Sequence, residues 1–472
     1  MANSRKSPRS SALTAHVTAV LKQHVKRGDR LIAGLSGGVD SVVLLDLLRR
    51  VSKKLRFELA ALHVNHQINP AADRWATICR AICRQHGIAL TVVRVTVPRG
   101  NSLEAAARAA RYRVFAAQAG DFVVLAHNLD DQAETVLLQL LRGAGVKGLS
   151  AMPELREARG VRREAGNGSR ATLRLAPRTS RLTPSILRPL LDIPRSVIEA
   201  YARARKLEWI EDDSNADLAF DRNFLRHAVM PVIAQRYPAY RKTLLRASRN
   251  LAEAARLLDE LAAADAQLTA GGLEIASLRR LSTPRVKNVL RHFLAGQGVT
   301  MPNAARLDEC ARQLLQARHG TRTAIDLGEH ELRRYADELR VVAKTAALPD
   351  SYCHEWHGES RLRVPALGGT LVLKKCRGAG ISLDKLTAQP VTVRLRQGGE
   401  RIKPHPRRPY RRLKNLLQET RVPPWLRDRL PLLFCGDELA WAAGIGVGCQ
   451  FQAKPGEASV QPLWLPSGHA TR

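Results

Sequence analysis

The chain has 472 residues, enough for about two to four domains that each bury a hydrophobic core. It carries 76 Lys and Arg against 43 Asp and Glu. This net charge of +33 favours a phosphate-rich partner or an anionic surface, although compositional drift would give the same excess. No run approaches the roughly 20 apolar residues of a membrane-spanning helix, and no signal peptide is evident. The seven cysteines include no CxxC pair, so we expect reduced thiols, no membrane insertion and a cytoplasmic location.

The first half of the chain alternates between helix and strand patterns. A short amphipathic helix is predicted over residues 12–26, and helical patterns recur at 71–86 and 103–118. Between them lie predicted buried strands at 30–35, 57–64, 90–97 and 122–126. This alternation predicts βαβ units and an α/β fold with a doubly wound parallel sheet.

The strongest local signal is the segment SGGVDS, which lies between the first predicted strand and an apolar helix. Adjacent glycines let the backbone approach a ligand, and the following helix directs N–H groups and its positive end at the loop. The lysine of a GxxxxGK[ST] loop is missing, so the pattern predicts a different pyrophosphate cradle, made by Ser36, Gly37, Gly38, Val39, Asp40 and Ser41. A carboxylate inside an anion cradle needs a cation, so we assign Asp40 to Mg²⁺. A strand–helix turn without a ligand is the alternative.

Polar residues follow the neighbouring predicted elements. His63 opens the sequence HVNH at the end of a strand, the edge where parallel sheets bind ligands, and is predicted to contact ATP. A loop histidine without a role is the alternative. Arg108 and Arg111 lie near Glu104 on a helix and are predicted to reach the phosphates or the base of ATP. A surface Glu–Arg pair that supports the helix explains the same spacing.

The segment HNLDDQAET begins directly after the fourth predicted strand, at His127. Asp130 is predicted to cap a helix, and Asp131 and Glu134 then lie on one face of it. A carboxylate on this face could complete the Mg²⁺ shell with Asp40, which makes Asp131 the second predicted metal ligand. Acidic residues stabilise the first turn of any helix, but this alternative does not account for the histidine.

After this helix the pattern changes. Residues 154–183 contain eight arginines among Gly, Ser and Thr, which is typical of a basic, partly mobile insertion or hairpin. Helical periodicity follows over 194–262 and 276–318, and strand-like alternation returns from about residue 332. We therefore expect an N-terminal α/β domain over 1–232, a helical middle domain over 233–345, a linker or domain start over 346–389, and a small α+β C-terminal domain over 390–472.

The SGGVDS loop resembles that of the PP-loop (N-type) ATP pyrophosphatase family, in which SGGxDS binds the β,γ-pyrophosphate of ATP. These enzymes adenylate a substrate oxygen and release pyrophosphate, and a nucleophile then displaces AMP. The loop alone does not choose among the members of the family.

Further motifs narrow the resemblance. HVNH, ExxxARxxRYxxF, HNxDDQAETxLxxLxRGxGxxGLxxM, LRPLL and DxSNxxxxxxRNxxR occur in this order, and together they closely resemble the tRNA(Ile)-lysidine synthetase (or synthase) family. GGER at 398–401, KNLLQE at 414–419 and VPPW at 422–425 are similar to the C-terminal domain of its three-domain members. The usual HVNHGLR is altered at residues 67–69, outside every residue assigned to chemistry.

This resemblance implies a two-step reaction. The C2 oxygen of the wobble cytidine in the CAU anticodon of tRNA(Ile) attacks the α-phosphorus of ATP, and pyrophosphate leaves. The ε-amine of free L-lysine then displaces AMP, giving lysidine and changing codon reading from AUG to AUA. The resemblance makes His127 the candidate to position or deprotonate lysine, and Asp131 or Glu134 the candidate to hold its ammonium group. Arg222 and Arg226 would hold the adenylate or an RNA phosphate. The predicted catalytic set is Asp40, His127, Asp131, Glu134 and Arg222.

A tRNA substrate would account for the positive charge. Only 4% of the residues are aromatic, so contacts to backbone phosphates fit better than base stacking. Besides Arg226, the predicted RNA-binding residues form one basic run, with a solvated basic loop as the alternative: Arg401, Lys403, Arg407, Arg408, Arg411, Arg412 and Lys414. The sequence leaves the oligomeric state open.

The alternatives are another PP-loop enzyme that adenylates tRNA and a non-catalytic tRNA-binding protein. A PP-loop tRNA thiolase is disfavoured because the CxxC pairs typical of thiolases that modify cytidine are missing. A non-catalytic tRNA-binding protein on a degenerate ATPase fold is disfavoured by the intact SGGVDS loop.

Overall fold

The computed structural model describes residues 8–97, 103–157, 183–212, 217–269, 272–316, 324–344, 347–349 and 351–466. The chain separates into two compact units, residues 1–261 and 262–472. The domain limits expected from the sequence stay a prediction. Most of the expected Arg-rich insertion, residues 158–182, lies outside the described residues.

The first unit is built on one six-stranded sheet. Its strands are β1 (Arg30–Gly34), β2 (Glu58–Asn65), β3 (Ala89–Arg94), β4 (Phe122–Val124), β5 (Leu155–Arg156) and β6 (Ser185–Leu187). They lie in the order β3-β2-β1-β4-β6-β5, and all pairs are parallel except the β5–β6 pair at one edge. Strand β1 lies between β2 and β4, so the strands that follow it in the chain are added first on one side of it and then on the other. Such a switch point opens a crevice at the carboxyl ends of the strands.

The first unit also contains helices, some of which pack against the strands of the sheet, and the last helix continues for four residues into the second unit. They are α1 (Pro8–His24), α2 (Val39–Leu55), α3 (Ala72–Gln85), α4 (Leu103–Ala116), α5 (Leu129–Leu141), α6 (Val146–Leu149), α7 (Arg195–Ala204), α8 (Asp221–Phe224), a π-helical turn (Leu225–Val229), α9 (Met230–Arg236) and α10 (Tyr240–Asp265). Helix α2 packs against α1 and α7 and is buried along most of its length because its apolar run VVLLDLL leaves few polar side chains to expose. Its burial fixes the loop that precedes it.

The second unit begins with helices and a small antiparallel sheet. Its elements are β7 (Leu273–Glu274), α11 (Ile275–Leu278), α12 (Thr283–Gly296), α13 (Ala304–Gln316), β8 (Ala324–Asp326), β9 (His330–Tyr335) and β10 (Glu338–Ala343), with strand order β7-β10-β9-β8. The helices match the predicted periodicity. Strands β7 and β8 precede the residue where strand alternation was expected, because two or three residues cannot display a period of two.

The C-terminal part is rich in strands. Its elements are β11 (Cys353–Glu355), β12 (Arg361–Val364), a 3₁₀ turn (Pro365–Leu367), β13 (Gly369–Arg377), β14 (Ile381–Ser382), α14 (Leu383–Leu386), β15 (Val391–Arg394), β16 (Arg401–Ile402), β17 (Arg411–Arg412), α15 (Leu413–Glu419), α16 (Pro424–Arg427), β18 (Leu432–Cys435), β19 (Glu438–Ala442), β20 (Gly446–Val447) and β21 (Ala458–Pro466). Two sheets, β11-β15-β18-β19-β20 and β12-β13-β21-β14, share one apolar core, and β16 pairs with β17 in a hairpin.

All seven cysteines are free thiols. Cys79 and Cys83, spaced one helical turn apart, are buried, and burial raises the pKa of Cys79 to about 12 and that of Cys83 to about 11. The burial of these two thiols agrees with the sequence-based expectation. Within the described segments, no helix is long and apolar enough to cross a membrane.

Candidate active site

The SGGVDS loop connects β1 to the N-terminus of α2 and is held by its own side chains. The Ser41 hydroxyl accepts the N–H groups of Ser36 at 3.2 Å and Gly37 at 3.1 Å, and it donates to the Gly38 carbonyl at 2.9 Å. Gly37 has φ +95°, and a Cβ atom there would lie 2.3 Å from the Ile210 side chain. The loop therefore has the glycine it needs at the point where the chain before α8 packs against it.

A cavity of about 590 Å³ opens beside this loop. Its walls come from the carboxyl ends of β1, β2 and β4 and from the segments around α4 and α8, and its volume is in the range of nucleotide-sized pockets. The cavity is lined by nine of the predicted site residues: Ser36, Gly38, Asp40, Ser41, His63, Arg111, His127, Asp131 and Arg222. Five of the predicted residues near the loop do not line it: Gly37, Val39, Arg108, Glu134 and Arg226.

Asn128 links the two predicted metal ligands. Its side-chain carbonyl accepts the Asp131 N–H at 3.0 Å and the Asp131 carboxylate accepts the Asn128 N–H at 3.0 Å, a reciprocal capping box at the start of α5. The Asn128 amide also donates to the Asp40 carboxylate at 3.2 Å. The prediction that Asp130 caps this helix is therefore wrong, because the helix begins at Leu129, which puts Asn128 at the capping position and Asp130 inside the first turn.

Asp40 is half-buried in the cavity wall. Burial raises its pKa to about 6, and the nearby Asp131 charge adds to the rise against the attraction of Arg195. In the described part of the chain, Asp40 takes part in no ion pair. Its ionised form is therefore poorly compensated by the protein and is available to a cation.

Glu134 and Asp131 are held by two arginines from the segment around α8. Arg222 donates to Glu134 at 2.7 Å and to Asp131 at 2.9 Å, and Arg226 donates to both Glu134 oxygens at 2.7 and 3.0 Å. The Glu134 side chain is only 3% exposed. The helix face predicted from the sequence is thus present, but Glu134 faces the arginines and not the cavity.

His127 lies at the end of β4, as predicted, and Arg188 donates to its Nδ1 atom at 3.3 Å. In the neutral ring, Nε2 then carries the proton. Burial and the positive charges of Arg188, Arg222, Arg108 and Arg111 lower the His127 pKa well below its usual value. His127 is therefore a neutral hydrogen-bond donor at physiological pH and a poor base.

The HVNH segment lines the cavity at the end of β2. The Nδ1 atom of His63 lies 2.9 Å from the Leu35 carbonyl, which fixes its ring beneath the loop, and burial lowers its pKa. Arg111 donates to His66 Nε2 at 3.2 Å, and burial followed by the Arg111 charge lowers the His66 pKa to about 4. The predicted pair of ATP contacts, His63 and Arg111, is thus brought to one wall, and His66 is added to it.

The predicted basic run lies in the second unit, on the β16–β17 hairpin and the start of α15. Arg401, Arg407, Arg408, Arg412 and Lys414 are exposed, and Lys403 is half-buried. Arg411 differs from these residues because it forms a two-armed ion pair with Glu419. The hairpin thus presents its cations to solvent with Arg411 already neutralised.

Sequence reasoning overlooked Asn128, Arg188 and Ile210 as parts of the site. Arg188 belongs to the LRPLL motif and Asn128 directly follows the predicted His127, so the motifs that carry the resemblance include both residues. Ile210 carries no chemical signal. Its role is to close over Gly37, which only the tertiary structure reveals.

Three family models match the chain: a PP-loop domain over residues 10–233, a TilS substrate binding domain over 273–340 and a TilS substrate C-terminal domain over 391–464. Together with the SGGVDS loop at the switch point of a parallel sheet, these matches define a PP-loop enzyme that uses ATP.

Curated relatives identify the family. The tRNA(Ile)-lysidine synthase of Nitrosomonas europaea is 44% identical over 454 residues, which cover 95% of this chain and 94% of that protein. That of Azoarcus sp. is 41% identical over 444 residues, 93% of each protein. The chain therefore belongs to the tRNA(Ile)-lysidine synthase family. This membership confirms the resemblance, the fold class and the ATP-dependent ligase class predicted from the sequence.

A solved structure, the U34-tRNA thiolase NcsA from Methanococcus maripaludis, is similar with a TM-score of 0.42 and 18% identity. The likeness covers 52% of this chain and 80% of that chain. No conclusion about function follows from it.

Proposed function

We propose that this chain ligates free L-lysine to C2 of the wobble cytidine in the CAU anticodon of tRNA(Ile), using ATP and releasing AMP and pyrophosphate. The observation that carries the proposal is the cavity beside the SGGVDS loop, in which Asp40, Asp131, His127 and Arg222 converge. Family membership supports the substrate class, and this geometry supports the cavity as the site of its chemistry.

The loop is the proposed site of the β,γ-pyrophosphate of ATP. Ser36, Gly38 and Ser41 line the cavity at the N-terminus of α2, where backbone N–H groups and the helix dipole favour negative charge. Arg111 and Arg222 add positive charge from two other walls. These groups stabilise the charge that builds up when the cytidine oxygen attacks the α-phosphorus and pyrophosphate leaves.

Asp40 and Asp131 are the proposed holders of Mg²⁺. The raised pKa of Asp40, caused first by burial and then by Asp131, fits a carboxylate that is completed by a cation. Among the described residues, no three His, Cys, Asp or Glu side chains cluster as a metal cage. Two carboxylates suit Mg²⁺ shared with phosphate and water. When bound, the ion would neutralise phosphate charge.

His127 is proposed as a hydrogen-bond donor to the nucleotide. Because Arg188 occupies its Nδ1 atom, its Nε2–H is the group left to donate to a phosphate or carbonyl oxygen in the cavity. The low pKa of His127 argues against its taking the proton of the lysine ammonium. Of the two alternatives drawn from the sequence, positioning is therefore favoured over deprotonation.

Of the two acids considered for the lysine ammonium group, Asp131, which is also the second proposed metal ligand, is the one that reaches the cavity, and Glu134 is proposed to act through the arginines. Asp131 lines the cavity, whereas Glu134 is buried with both carboxylate oxygens accepting from Arg222 or Arg226. Glu134 is thus a positioning residue that fixes the two guanidinium groups. Arg222 reaches the cavity and is left to hold the adenylate.

The tRNA-gripping surface is proposed to include the exposed cations of the β16–β17 hairpin. Exposed Arg and Lys side chains bind backbone phosphates and release counterions, so the affinity should fall steeply with salt. The net charge of +33 agrees with such a partner.

The proposed function is tested by incubating the chain with a tRNA(Ile) transcript, ATP and labelled lysine. We expect label in the RNA together with one AMP and one pyrophosphate for each lysine joined. Turnover of ATP without label in the RNA would favour another PP-loop enzyme. Binding of tRNA with no turnover would favour a non-catalytic binding protein.

A further inference from the structure

Three arginines contact Tyr112, and one of them, Arg188, also donates to His127. Arg108 donates to the Tyr112 hydroxyl at 3.3 Å and Arg188 donates to it at 3.2 Å. The guanidinium carbons of Arg108 and Arg156 lie 5.0 and 5.4 Å from the centre of the Tyr112 ring. We call these three arginines and Tyr112 the Tyr112 cluster. Its members come from α4, from β5 and from the residue after β6.

No carboxylate neutralises this cluster in the part of the chain that the structure describes. Arg188 is 2% exposed, yet its hydrogen bonds reach only neutral acceptors: His127 Nδ1, the Tyr112 hydroxyl and the Pro153 carbonyl at 2.8 Å. Neither Arg108 nor Arg156 enters an ion pair with a described residue. A buried guanidinium without an anion is costly, which points to a ligand that brings one.

The directions in which the pKa values of Arg188 and Tyr112 are shifted agree with a missing anion. Burial lowers the pKa of Arg188, and the charges of Arg108 and Arg156 lower it further, against the pull of Tyr112. Burial alone would raise the Tyr112 pKa, but the arginines reverse the direction and lower it. The cluster therefore has excess positive potential at its centre.

The cluster lies outside the ATP cavity. Arg111 lines that cavity, but Arg108, Arg156, Arg188 and Tyr112 do not. Arg108 and Arg156 are exposed while Arg188 is buried, so a ligand would reach the cluster from solvent and not through the cavity. Arg108, which the sequence predicted to contact ATP, does not line this cavity.

We propose that the Tyr112 cluster binds a backbone phosphate of the tRNA next to the nucleotide that reacts in the cavity. Guanidinium groups bind phosphate with paired, charge-assisted hydrogen bonds, and several converging on one point select a single phosphate. Arg188 would couple this contact to the active site because it also holds His127. The inference rests on the proposed function, since it takes tRNA as the substrate.

The test compares two arginines of the cluster with an exposed arginine of α4 that lies outside it. Arg108→Gln and Arg156→Gln each remove one cation of the cluster, whereas Arg113→Gln removes an exposed cation of α4 outside it. The Kd for a tRNA(Ile) transcript is measured with the full chain, without ATP or lysine, over a series of salt concentrations. We expect Arg108→Gln and Arg156→Gln to raise the Kd about threefold to tenfold and to reduce the salt slope by about one. Arg113→Gln should change the Kd less than twofold.

Equal effects of Arg113→Gln and Arg156→Gln would overturn the proposal, because the loss would then reflect net charge alone. An unchanged Kd for Arg156→Gln, accompanied by a raised KM for ATP, would also overturn it and assign the phosphate to ATP. Since binding is measured without lysine, the cluster can be tested even if the unaltered chain fails to join lysine to tRNA. That failure would contradict only the proposed function.

Discussion

Two groups of arginines flank His127, and they differ in what holds them. Arg222 and Arg226 lie against Glu134 and Asp131, with four of the donor–acceptor distances at 3.0 Å or less. The arginines of the Tyr112 cluster lie against a phenol, an imidazole and a carbonyl oxygen. Charges of both groups lower the pKa of His127 after burial does. The first group is paired with carboxylates of the protein, and its Arg222 also lines the cavity, whereas no described carboxylate pairs with the second group.

The largest effect on stability and activity is expected when the Glu134 carboxylate is removed. In Glu134→Gln, Arg222 and Arg226 lose the buried carboxylate that pairs with both of them. Breaking a buried ion pair in this way should lower the thermal midpoint by about 5–10 °C and lysine incorporation by about a hundredfold. Differential scanning fluorimetry and the labelled-lysine assay provide the measurements.

The matched control is Arg156→Gln in the Tyr112 cluster. Because no described carboxylate pairs with Arg156, this change should leave the midpoint within about 2 °C of that of the unaltered chain. If both variants lost the same stability, the distinction between the two groups would be wrong.

Asp40 differs from Asp131 and Glu134 because it forms no ion pair with a described arginine. Its folded pKa of about 6 lies above the ordinary 3.8, so the folded state binds the proton more tightly, and stability is lost as pH rises through this window. Asp40→Asn should therefore raise the midpoint at pH 7.5 by about 2–5 °C without nucleotide, and should not raise it at pH 4. Lysine incorporation should fall about a hundredfold or more.

Asp46, on the same helix, is the control of opposite sign. Burial raises its pKa, but hydrogen bonds from Arg49 and Tyr201 outweigh burial and lower it. Asp46→Asn should thus lower the midpoint at pH 7.5.

The assignment of Asp40 to Mg²⁺ is tested by single turnover with Asp40→Ala. Accumulation of adenylated tRNA at the rate of the unaltered chain would contradict this assignment.

Asn128 allows capping to be separated from its contact with Asp40. Asn128→Ala removes both the cap of α5 and the amide that donates to Asp40, whereas Asn128→Ser keeps a capping oxygen. The alanine variant should lose about 1 kcal/mol of stability, and the serine variant less. Both should raise the KM for ATP severalfold. A normal KM in both variants would show that the Asp40 contact is not needed.

The β16–β17 hairpin repeats the comparison on a smaller scale. Arg408 is exposed, whereas Arg411 is paired with Glu419. Arg408→Gln should raise the Kd for tRNA about twofold to threefold and flatten its salt dependence, and Arg411→Gln should have less effect. The larger effect at Arg411 would contradict the role given to exposed cations.

The sequence predicted the elements that have a periodic hydrophobic pattern and the residues that directly follow a strand. Strands β1 to β4, the loop before α2, and the positions of His127 and Asp131 followed from periodicity and from the rule for parallel sheets. Strands β7 and β8 were too short to give a period. The orientation of Glu134 depended on Arg222 and Arg226, which lie 88 and 92 residues away. No local pattern can reveal such pairs, and the buried charge of Arg188 likewise became visible only with its neighbours in place.

The most direct test of the account is to locate the lysine after the reaction. The tRNA(Ile) transcript is incubated with the full chain, ATP and isotope-labelled lysine, digested to nucleosides and analysed by mass spectrometry. We predict that the label is found on the wobble cytidine of the CAU transcript and is absent when that cytidine is replaced by uridine. Consumption of ATP with no labelled nucleoside, or label on both transcripts, would contradict the proposed function.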